Sequence, residues 1–165
     1  MEIMVRSIEE RYKTLALYIK RIRPGAKLPK YMSEQAAGMD VSACLDSDEP
    51  YGHMKVLEPG ERAMIPTGLV LEIPPMFEVQ VRPRSGMAIK KGITVINSPG
   101  TIDADFRGEI MIGLINHSGE DFTIEDGMRI AQIVIAPVIQ MEVIEVGEVS
   151  ETDRGEGGIG STGDK

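Results

Sequence analysis

Residues 92–109 read G-I-T-V-I-N-S-P-G-T-I-D-A-D-F-R-G-E, and the organisation of the whole chain turns on how this stretch folds. Gly92 to Ile96 is a short run dominated by β-branched residues, Asn97-Ser98-Pro99-Gly100 carries strong turn chemistry, and Thr101-Ile102 resumes an extended pattern. The reading is therefore a β-hairpin. A tight hairpin bares backbone donors and acceptors at its mouth, and these can bond the edge of a small planar heterocycle as a complementary base would. Asp103 stands one step past that mouth.

Outward from this stretch, the pattern is one of many short strands. Leu17 to Ile22, Met39 to Ala43, Arg62 to Ile65, Gly68 to Ile73, Phe77 to Arg82, Glu109 to Asn116, Arg129 to Ala136 and Gln140 to Val146 are further candidates. Most are bounded by Pro or Gly, as in a sandwich or closed barrel that leaves few open edges. With 18 glycines, 10 prolines, no Trp and 4% aromatics, an all-β domain fits better than a helical bundle. The 165 residues suit one domain. Residues 1–16 form an N-terminal extension with helical spacing at Ile8, Tyr12 and Leu15 behind a capping box at Ser7-Ile8-Glu9-Glu10. The barrel is expected over 17–149. Residues 150–165 are too glycine-rich and too poor in apolar side chains to fold alone, so they read as a flexible arm.

Charge and composition exclude several functions. A net charge of −8 argues against wrapping a nucleic-acid polymer, which calls for a basic stripe. An anionic ligand would need locally placed arginines and a bridging metal. Cys44 is the only cysteine, which rules out an intrachain disulfide and points to a reducing compartment. The N-terminus has no long apolar run and carries Glu2, Arg6, Glu9 and Glu10, unlike a secretory signal or membrane span, so a cytoplasmic protein is expected. His53 and His117 with one cysteine complete no zinc set.

Five stretches in order complete the reading: A-A-G-M-D-V-S-A (36–43), R-P-R-S-G-M-A (82–88), N-S-P-G-T-I-D-A-D-F-R-G-E (97–109), G-M-R-I-A-Q (127–132) and R-G-E-G-G-I-G-S-T-G (154–163). Together they resemble the five motifs of the trimeric deoxyuridine triphosphate nucleotidohydrolases, the dUTPases. The resemblance implies a jelly-roll-like, distorted β-barrel in a homotrimer whose sites are built from more than one subunit. It also implies cleavage of dUTP to dUMP and pyrophosphate with Mg²⁺. That reaction limits uracil incorporation into DNA and supplies dUMP for thymidylate synthesis.

The resemblance assigns roles that suit the residue types. Asp103 matches the general base that orients water toward the α-phosphorus, and Asp105 reads as structural. Arg84, Ser85 and Gly86 match a phosphate cradle, in which a guanidinium forks onto oxygens, a hydroxyl donates and glycine permits close approach. Gln132 matches a further phosphate contact, Arg129 a structural ion-pair partner, and Asp40 an acid that holds magnesium through water. Asn97 and the backbone of Thr101 and Ile102 are placed to read uracil, with Met111 beside them. Phe106 stands where the family usually has Tyr, keeping the ring that excludes a ribose 2′-hydroxyl but losing the phenol. In the arm, Arg154, Ser161 and Thr162 would close over phosphates. Ile159 replaces the usual Phe over uracil, giving up stacking on the order of 0.5–1.5 kcal/mol.

Two rivals follow from the same barrel. A dCTP deaminase would need a glutamate ten positions after Asp103, where this chain has Gly113. A non-catalytic nucleotide-binding module would have no use for a base aimed at phosphorus.

Overall fold

The computed structural model describes residues 15–45, 52–158 and 161. In chain order its elements are β1 (Tyr18–Arg21), β2 (Lys30–Tyr31), β3 (Met39–Ser42), β4 (Met54–Leu57), β5 (Arg62–Pro66), β6 (Leu69–Glu72) and β7 (Phe77–Arg82). There follow helix α1 (Ser85–Lys91), β8 (Ile93–Val95), β9 (Gly100–Ile102), β10 (Met111–Asn116), β11 (Phe122–Glu125) and β12 (Arg129–Pro137).

The strands join into a five-stranded sheet ordered β2-β3-β12-β7-β9, a three-stranded sheet ordered β5-β10-β8, and the pairs β1-β6 and β11-β4. All pairings are antiparallel. Alternation explains which side of each strand turns inward. In β7, Val79 and Val81 are buried while Arg82 is exposed and Glu78 and Gln80 are only partly covered. Val41, Val79, Val95, Leu57, Ile65, Leu71, Ile112, Leu114, Ile124, Ile130 and Ile133 come from four different sheets yet form one cluster. One core thus serves every layer, as in a closed barrel of jelly-roll type. Leu114 is fully buried, so its truncation to Ala would remove about 2–5 kcal/mol of stability.

Three sequence expectations need correction. The stretch around Asn97 is not a hairpin: β8 pairs with β10 and β9 pairs with β7, so the two arms lie in different sheets. Local turn chemistry was read correctly, but strand partners are chosen by burial, and Ile93 and Val95 find theirs against β10. Gln140 to Val146 forms no strand either. It alternates apolar and polar residues as a strand would, but no described segment offers its backbone a ladder. Thirdly, Arg84-Ser85-Gly86 is expected only as a phosphate cradle with no helix assigned to it, yet Ser85–Lys91 is helical, with Lys90 and Lys91 in the last turn. Gly92 ends it with φ 68°, its N–H directed to the carbonyls of Ala88 and Met87. Sequence reading also passed over β2, β4 and β11, which are short or flanked by few apolar residues. The expected N-terminal helix falls outside the described residues except for Leu15 and Ala16, which have no regular structure.

Val138 donates its N–H to Met76 O at 2.8 Å, the last such tie to the barrel among the described residues. Beyond it Ile139, Met141, Val143, Ile144, Val146 and Val149 are all exposed. No helix of the described residues is long and apolar enough to cross a membrane.

Candidate active site

The candidate residues fall into two groups at different corners of the five-stranded sheet. The first group surrounds β9, which is the edge strand of that sheet and is joined by Ile96–Pro99 to β8, the edge strand of the other. Among the described residues only β7 flanks β9, so the backbone groups of Gly100–Ile102 that point away from β7 have no ladder partner there. These are the free donors and acceptors expected for reading a planar ligand, supplied by an open sheet edge and not by a hairpin mouth. Thr101 is exposed and Ile102 is buried in the core beneath it. Asn97 is exposed, with Nδ2 3.0 Å from where a Cβ on Gly100 would lie. Met111, partly exposed, opens β10 opposite Pro66.

Asp103 follows directly on β9, exposed, and its carboxylate has no hydrogen-bond or ion-pair partner among the described residues. Its carbonyl accepts the Phe106 N–H at 3.2 Å, which turns the chain back on itself. Arg107 closes that loop from outside, Nη1 donating to Ala104 O at 2.6 Å and to Phe106 O at 2.9 Å. Phe106 is 45% exposed and its ring lies over Gly108: a Cβ there would meet Cζ at 2.5 Å. A side chain at 108 would therefore have to displace the tip of the Phe106 ring. The far end of the loop is pinned by Glu109, whose Oε1 accepts from Arg23 Nε and Gly68 N, both at 2.8 Å, and whose Oε2 accepts from Arg23 Nη2 at 3.1 Å.

The second group gathers on β3, β12 and the start of α1. Register places Asp40, Gln132 and Arg82 side by side across three strands. Asp40 Oδ2 lies 3.0 Å from Arg129 Nη1 and 3.3 Å from Arg84 Nε, and Arg84 Nη1 donates to Arg129 O at 2.9 Å. Arg129 thus forms the ion pair expected of it. Gln132 Nε2 donates to Pro83 O at 2.9 Å, steadying the turn that presents Arg84, and its Oε1 lies 2.6 Å from where a Cβ on Gly38 would be. Ser85 and Gly86 are exposed in the first turn of α1, where backbone amides lack intrahelical partners. Sequence reasoning gave no role to Gly38, Gly108, Arg23 or Glu109. Glycine in a loop carries no signal of which side chain will lie on it, and the Arg23–Glu109 pair spans 86 residues.

Val79 pairs with Ile102, so Asp103 lies level with Glu78 at one end of β7, while the Asp40–Gln132–Arg82 row lies at the other. At about 3.3 Å per residue along a strand and about 4.8 Å between strands, Asp103 and Asp40 are about 13 Å apart along the sheet and about 14 Å across it, or about 19 Å in all. Within one chain the two groups do not meet.

The arm residues stand apart from both. Arg154 Nε donates to Gly157 O at 2.9 Å, and Ser161 N–H to Gly158 O at 3.2 Å, in turns local to the arm. Ile159 and Thr162 lie outside the described residues.

No group of three or more His, Cys, Asp or Glu among the described residues could hold a metal ion. The only acid among the second group, Asp40, already faces two guanidiniums, a setting that repels a divalent cation. The donor set therefore does not fit a metal held by this chain's Asp40.

Comparison with known proteins agrees with this geometry. The dUTPase family model matches residues 25–163. The deoxyuridine 5′-triphosphate nucleotidohydrolase of Rhizobium etli is 58% identical over 139 residues, covering 84% of this chain and 86% of the relative. That of Syntrophotalea carbinolica is 52% identical over 151 residues, covering 92% and 99%. Among solved structures, the Staphylococcus bacteriophage 80alpha dUTPase with dUPNHPP superposes with a TM-score of 0.80 at 28% identity, covering 91% of this chain and 99% of that one. An open-edged β-barrel, an unpaired acid at the end of its edge strand and these matches together place the chain in the dUTPase family.

Proposed function

We propose that this protein hydrolyses dUTP to dUMP and pyrophosphate, with Asp103 as the general base. The observation that carries the reading is an exposed carboxylate, free of any partner among the described residues, set one residue beyond an open sheet edge. A nucleobase hydrogen-bonded along that edge leaves its sugar over Phe106 and its phosphates running away from β9 past the acid. Asp103 orients a water and takes its proton as the water oxygen bonds to the α-phosphorus. The bond from that phosphorus to the bridging oxygen breaks, and pyrophosphate leaves with the electron pair. Free backbone groups of β9 with Asn97 read the edge of uracil, which a cytosine would mispair. The Phe106 ring, its tip over Gly108, fills the space of a 2′-hydroxyl and rejects UTP.

The triphosphate is bound by Arg84, Ser85, Gly86 and Gln132, with Arg154, Ser161, Thr162 and Ile159 closing over it. Magnesium accompanying the triphosphate would supply further charge neutralisation there, with no ligand from Asp40. The roughly 19 Å between the two groups supports a homotrimer in which one copy supplies the base and the base-reading edge and another the phosphate ligands. The exposed apolar side chains at 139–149 give such an assembly a surface to cover. A reducing cytoplasm suits the single, buried Cys44. Deamination finds no support: Gly113 sits opposite Met64 in β10 and offers no carboxylate.

The test is release of pyrophosphate from dUTP and magnesium, with dCTP, UTP and dTTP as controls. Wild type is expected to turn over dUTP alone, and Asp103→Asn to lose about 10²–10⁴ in kcat. An Asp103→Asn enzyme as fast as wild type would exclude the mechanism.

A further inference from the structure

We propose that Asp40 is a positioning residue: it holds Arg84 and Arg129 together as a two-guanidinium fork for the anionic end of the ligand, and it does so without metal. The inference rests on the phosphate-binding part of the function proposed above. It departs from the magnesium role that sequence resemblance implies for Asp40.

Two independent features of the chain support it. The first is the ion-pair geometry. Two guanidiniums brought side by side repel each other, and a single carboxylate oxygen within 3.3 Å of one and 3.0 Å of the other offsets that repulsion. The three groups together keep one net positive charge. Arg84 is fixed further by donating Nη1 to Arg129 O, which leaves Nη2 without a partner among the described residues. Asp40 has only 15% of its side chain exposed, against 28% for Arg84 and 45% for Arg129, so the carboxylate lies behind and the cations in front. An anion arriving from solvent meets the guanidiniums first.

The second feature is a register shift in β12. Arg129 pairs with Ser42, but the next pairing is Ala131 with Val41 and then Gln132 with Asp40, so one extra residue is taken up between Arg129 and Ala131. In an unbroken strand, residues three apart point to opposite faces. The bulge reverses this, so that Arg129 and Gln132 both escape burial while Ile130, Ala131 and Ile133 turn into the core. The irregularity thus brings Arg129 to the face where Asp40 and Arg84 wait.

The test is the affinity for inorganic pyrophosphate in the presence of a chelator, measured by calorimetry on wild type, Asp40→Asn, Arg84→Gln and the double variant. If Asp40 served only to hold a hydrated metal, or had no role, removing its negative charge would leave metal-free affinity unchanged or raise it. A positioning role gives the opposite sign: Asp40→Asn, though one charge more positive, binds pyrophosphate about tenfold more weakly, because Arg84 is no longer held in place. In the Arg84→Gln background the same change has little effect or strengthens binding, since there is nothing left to position. Urea unfolding of each variant establishes that a folded protein is being titrated, and Asp40→Glu, which keeps the charge, recovers part of the affinity. Equal or tighter binding by Asp40→Asn, additive effects in the double variant, or no metal-free binding by wild type would each overturn the proposal. None of these measurements uses dUTP turnover, so failure here is distinguishable from failure of the hydrolase reading.

Discussion

If the base and the phosphate ligands come from different copies of the chain, two inactive variants should restore each other. Consider Asp103→Asn and Arg84→Ala, co-expressed with different tags so that mixed assemblies can be isolated. Register sets Asp103 about 19 Å from Asp40, the acid that Arg84 faces, and on the proposed reading a site takes its Asp103 and its Arg84 from different copies. In a closed ring, each site takes its base from one copy and its fork from the next. With equal amounts and random assembly, the base donor carries an intact Asp103 in about half of the sites and the fork donor an intact Arg84 in about half of those. About a quarter of wild-type turnover therefore returns in the unsorted population, and about a third in purified mixed trimers, each of which holds one complete site of three. Each variant alone should show a small residual rate, and dUTP-dependent pyrophosphate release from purified mixed assemblies gives the readout. Mixed assemblies no more active than the mean of the two variants would refute a shared site.

Three further outcomes follow from side-chain contacts. Gly108→Ala places a Cβ about where the Phe106 ring now lies, so the ring must swing away; kcat/KM for UTP should rise relative to dUTP, and an unchanged ratio would remove Phe106 from the 2′-hydroxyl filter. Arg23→Ala leaves Glu109 with only the Gly68 N–H, and should lower stability by about 1–3 kcal/mol in urea unfolding, with no loss meaning that the loop is pinned elsewhere. Glu61 is held below the ordinary glutamate range by the Lys55 Nζ hydrogen bond and then by the Glu58 N–H. Its contribution to stability is present above the ordinary glutamate value and is lost as pH falls through the lowered one. Lys55→Met should therefore flatten the dependence of stability on pH in that acidic window, and an unchanged slope would show that the pairing does not matter.

What the sequence discloses is governed by how local each determinant is. Phe77–Arg82 was legible to the residue because alternation and a following Pro are both local, and the chemical types at Arg84, Asn97 and Asp103 stand out in short motifs. The partners of β8 and β9 were not legible, since the same turn residues serve a hairpin or a crossing between sheets, and only the completed core decides which. Gln140–Val146 carried a strand's pattern without a strand's partner, and pattern alone supplies no hydrogen bonds. Asp40 was the least legible of the site residues. Nothing near it in sequence tells that Arg84 and Arg129, 44 and 89 positions away, converge on one of its oxygens.

The extra residue in β12 lets two consecutive side chains, Ile130 and Ala131, enter the core where a plain ladder would admit one. Deleting either Ile130 or Ala131 would restore a plain ladder in which Arg129, now two positions before Gln132 and still opposite Ser42, keeps to the outer face, and only an inward-facing apolar side chain would be lost. The loss of a single codon there would therefore be felt in the packing of the interior and not in the direction of the guanidinium.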